Sequence, residues 1–164
     1  MSNHSVTAFD CIRGATKPFS GFGSIEADSL ELFSKLQRLS EDAKQRLRQG
    51  FSREFDDPTT VGSTLDDIVK EMWTNGWTPE RGNVNLFTTD FGLVLTTAIF
   101  ELAGGQPVFR AISDLNHFSL YWPKAPAEAF PFHKVLKCLY HREGESMAQF
   151  VTGILQFTGM EGHA

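Results

Sequence analysis

Residues 91 to 103, FGLVLTTAIFELA, are apolar around almost the whole helical circumference, and a helix of that kind belongs at the centre of a core. Gly104 and Gly105 end it, and Thr88 or Thr89 is placed to cap its start, with Asp90 near the positive end of the helix dipole. The run falls short of the ~20 uninterrupted apolar residues of a membrane span. It therefore needs a shell of other elements, and the rest of the 164 residues must supply it. With 41% hydrophobic and 21% charged residues the composition is that of one ordinary soluble domain. A chain of this length buries roughly 70% of its unfolded surface, so neither disulfides nor metal are required to fold it.

The shell is legible in outline. Residues 1 to 27 carry Gly14, Pro18, Gly21 and Gly23 between Phe9, Phe19 and Phe22, which predicts an irregular segment docked on a body formed by residues 28 to 164. Leu30, Phe33 and Leu36 recur at helical spacing behind Asp28 or Ser29, and Ser40 with Asp42 predicts a second helix running to Gly50. SREFDDPTTVGS is polar and reads as a solvated loop. Ser63, Thr64, Asp66 and Asp67 then form two overlapping capping-box spacings ahead of a stripe of Leu65, Ile68, Val69, Met72 and Trp73, ended by Asn75 and Gly76. Beyond the central helix, residues 107 to 112 and 117 to 122 predict a β-hairpin with Phe118, Leu120 and Trp122 on one face. KAPAEAFP reads as a linker, Pro131 as the first residue of a helix ending near Arg142, and Ser146 as the cap of a last helix weakened by Gly153. The expected fold class is α+β, five or six helices packed around a small antiparallel hairpin or sheet in a single domain.

Twenty Asp and Glu against fifteen Lys and Arg give a formal charge of −5, which argues against nucleic acid and anionic membrane as partners. The N-terminal MSNHSVTAFDCIRG has neither a basic nor an apolar region of a secretory signal, so a cytoplasmic location is expected. Cys11 and Cys138 lie in unlike contexts and form no disulfide framework, and Cys138 reads as a small core hydrophobe.

Two charged surfaces stand out. Glu54, Asp56, Asp57, Asp66, Asp67 and Glu71 fall within eighteen residues, offset by Arg53 and Lys70 alone. Asp66 and Asp67 are accounted for by the dipole of the helix they begin, at roughly 0.3 to 1 kcal/mol each. Glu54, Asp56 and Asp57 beside Trp73 and Trp77 form either a solvated loop or a patch that covers a cationic protein, with aromatics as anchors and charge as steering. On that second reading, reversing Asp56 and Asp57 weakens a partner and leaves the thermal midpoint almost unchanged. The other surface is basic: His133, Lys134, Lys137, His141 and Arg142 lie opposite the apolar stripe of Phe132, Val135, Leu136, Cys138 and Leu139. Cys138 thus points away from the histidines, and no metal site is expected there.

No nucleophile elbow, P-loop or dinucleotide-binding motif is present, and no cofactor is implied. In size, charge and texture the whole chain resembles bacterial immunity proteins that neutralise a cognate toxin, a likeness carried by no motif, so no residue roles follow from it. The first functional expectation is a non-catalytic inhibitor that occludes another protein bearing a basic surface. A second is a small enzyme built on His117, Glu101, His133 and His141, and a third is a homodimeric chaperone-like or structural subunit.

Overall fold

The computed structural model describes residues 27–108, 118–125, 127–141 and 143–159. The expectations for the N-terminal segment, the hairpin turn, His117 and Arg142 lie outside them. Among the described residues five α-helices and a three-stranded antiparallel sheet form a single compact α+β domain, as the periodicities predict. In chain order these are α1 (Ala27–Phe51), α2 (Val61–Thr74), a 3-10 turn (Pro79–Arg81), α3 (Val84–Ala103), β1 (Gln106–Val108), β2 (Ser119–Trp122), β3 (Ala127–Ala129), α4 (Pro131–Tyr140) and α5 (Met147–Thr158).

Helix α3 is the axis of the domain, packed against each of the other four helices. Every residue from Thr88 to Ile99 is buried, as a helix apolar all round requires. By length and composition it would also cross a membrane, but 72% of its most apolar 18-residue stretch is buried within the domain. The helix begins earlier than the caps predicted, at Val84 behind a left-handed Asn83. Thr88, Thr89 and Asp90 are consequently interior residues. Thr89 donates its hydroxyl to the Asn85 carbonyl at 2.8 Å, and Asp90, buried in the α1–α3 interface, accepts both guanidinium branches of Arg46 at 3.1 and 2.7 Å. A buried carboxylate needs such a partner far more than it needs a helix dipole.

The expected break at Ser40 does not occur, since α1 is one helix of 25 residues. Ser40 fails to cap because its hydroxyl is hydrogen-bonded to that of Thr97 on α3, at 2.8 Å, inside the stripe of Leu36, Ala43 and Leu47. A tertiary partner has replaced the local one that makes serine a helix starter. In α2 the helix likewise starts ahead of the capping boxes, at Val61, and Ser63 donates back to the Thr60 carbonyl at 3.0 Å.

In the sheet β2 is central, with Leu120 opposite Pro107 on β1 and opposite Ala129 on β3. Phe118, Leu120 and Trp122 are buried as their alternation predicts, and the Trp122 indole donates to the Ala103 carbonyl at 2.9 Å, closing the C-terminal end of α3. Strand β3 occupies the expected linker. Ala and Glu are poor strand formers, and three residues of them carry no period-two signal; pairing with β2 imposes the extended form. Pro131 opens α4 as expected, and Ser146 caps α5 by accepting from the Gln149 amide at 3.1 Å.

Candidate protein-interaction surface

The polar loop between α1 and α2 is anchored by a residue that its composition conceals. Phe55 is 1% exposed and belongs to the core. With Phe55 turned inward, the residues on either side turn outward, so Glu54 and Asp56 stand 77% and 72% exposed. Both accept from one guanidinium, Arg48 near the end of α1, at 3.2 and 2.6 Å. Arg53 bonds the Phe51 carbonyl and Glu71 on α2, each at 3.0 Å. Exposed pairs of this kind contribute little stability, typically below about 1 kcal/mol. Their effect is to hold three carboxylates in fixed positions on an exposed rim. Asp57 closes a tight turn by accepting from the Thr59 hydroxyl at 2.7 Å and its amide at 3.0 Å, and those bonds hold its carboxyl below the usual carboxylate range.

Trp73 and Trp77 are half-buried rather than freely exposed, and they stack on one another edge to face at 6.1 Å. Trp77 meets Phe87 at 5.7 Å, and Phe87 meets Phe51 and Phe91 at 6.4 and 5.6 Å. Arg53 links this aromatic cluster to the acidic rim, because it bonds both the Phe51 carbonyl and Glu71. Of the eight acidic and aromatic residues singled out in the sequence, Glu54 and Asp56 share Arg48, Glu71 pairs with Arg53, and Trp73 packs on Trp77. Asp66 is drawn elsewhere: its carboxylate accepts from the Ser146 hydroxyl and the Met147 amide at 2.7 Å and from the Ala148 amide at 3.0 Å, capping α5. Asp67 is exposed and lines a cleft with Asp66, Lys70, Glu143 and Glu145. Sequence reasoning passed over Phe55 and Arg48, and took Arg53 only as an offsetting charge. A lone Phe in a polar loop was the available signal for the first.

On α4 the predicted division holds except at Leu136, which is half-buried. Phe132, Val135, Cys138 and Leu139 are buried, Lys137 and His141 are exposed, and His133 and Lys134 are half-buried. Lys134 pairs with Glu145, holding that carboxyl below its usual range, and lies 5.8 Å from the centre of the Phe150 ring. Glu101 is exposed on the last turn of α3, in a shallow groove with Gln37, Arg38 and Glu41 that contains no histidine among the described residues. Among the described residues no group of three or more His, Cys, Asp or Glu side chains is arranged to hold a metal ion.

Burial pushes the Cys138 thiol up to about 12 from an ordinary 9.0, with the Asp66 carboxylate adding to the effect. The raised value means that this thiol's contribution to stability is fully present below about pH 9 and declines as pH rises towards 12. In a Cys11→Ser chain at pH 8, Cys138 should react with a thiol reagent far more slowly than free cysteine and reach the free rate in urea. Fast reaction in the native chain would place the thiol at the surface.

No protein-family model, curated protein or solved structure matches the chain.

Proposed function

We propose that this chain is a non-catalytic protein-binding protein, an acidic cytoplasmic inhibitor of the immunity type that occludes a toxin or effector protein through that protein's basic surface. The observation that supports this reading is the rim of Glu54 and Asp56, held outward by Arg48 and by the inward anchor Phe55, in a domain that also carries the half-buried pair Trp73 and Trp77. A rim fixed before encounter loses little side-chain entropy on binding, its charge steers a cationic partner, and the two indoles supply the anchoring area that charges alone do not.

Asp57 closes its own turn, so the informative variant leaves it alone and carries Glu54→Lys with Asp56→Lys. The immobilised chain should retain a basic protein from extracts of the cells that make it, in a salt-sensitive way. The double variant should lose that protein by roughly a hundredfold in affinity, while its thermal midpoint stays close to that of the parent, because exposed pairs are worth less than about 1 kcal/mol each. Retention unchanged by the double reversal would end the reading.

A further inference from the structure

We draw no further inference here: the strongest candidate, the cleft between α2 and the α4–α5 connection lined by Asp66, Asp67, Glu143, Glu145 and the buried Cys138, is an acidic cluster with a lone cysteine, two of whose carboxylates are spent on the cap of α5 and on Lys134, and nothing in the structure points to what it would bind.

Discussion

Gly92→Ala is expected to destabilise the domain by about 3 kcal/mol, the upper end of ordinary overpacking costs, although alanine is the better helix former by about 1 kcal/mol. A Cβ at this position of α3 would lie 2.1 Å from Cδ1 and 2.5 Å from Cε1 of Phe132, distances that no relaxed contact allows. The ring has little room to withdraw, because Phe132 is 2% exposed and packs edge to face on Phe118 at 5.6 Å. The glycine is therefore what lets α4 lie against α3. A urea titration should show the midpoint falling at constant slope, and Phe132→Leu in the same chain should recover part of the loss. Gly153→Ala provides the opposite sign. Nothing lies within 4 Å of a Cβ there, so the helical preference of alanine should raise stability by about 0.5–1 kcal/mol. A Gly92→Ala chain more stable than its parent would mean that the Phe132 ring gives way freely.

Asp66→Ala should cost a similar amount, about 3 kcal/mol, for a different reason. Its carboxylate accepts three hydrogen bonds from the start of α5, two of them from backbone amides that would otherwise be among the unbonded donors of a helix end. The contact depends on Gly62, one turn earlier on α2, where an added Cβ would sit 2.8 Å from the Ala148 Cα. Glycine and aspartate four residues apart thus act together: the first lets the helices approach and the second uses the approach. Asp66→Asn should retain about half of the stability, since an amide oxygen can accept but carries no charge. Asp67→Ala, exposed and lacking that role, should stay within about 0.5 kcal/mol of the parent. Equal effects of Asp66→Ala and Asp67→Ala in thermal unfolding would remove the cross-helix cap from the account.

These two positions also show how far sequence reasoning reaches. Periodicity located the central helix, the buried faces of α2 and α4, and the alternation of Phe118, Leu120 and Trp122, because each of those patterns reports a burial that the structure bears out. Local capping signals did worse. Ser40, Thr88 and Asp66 each look like residues that begin the helix nearest them, yet Ser40 is spent on α3, Thr88 is buried in mid-helix, and Asp66 caps a helix eighty residues away. A capping side chain is identified by the amide it reaches, and a one-dimensional pattern contains no such distance. The acidic and basic surfaces were visible as charge runs. Their internal order was not, because Arg48 and Arg53 are partners only once α1, the loop and α2 have come together.

The placement of α3 bears on how the molecule comes apart. A helix touched by all four others has amide hydrogens that water reaches only when the whole assembly opens. Peeling away any single outer helix bares one side of the same apolar rod, so partial openings are penalised and the domain yields as one cooperative unit.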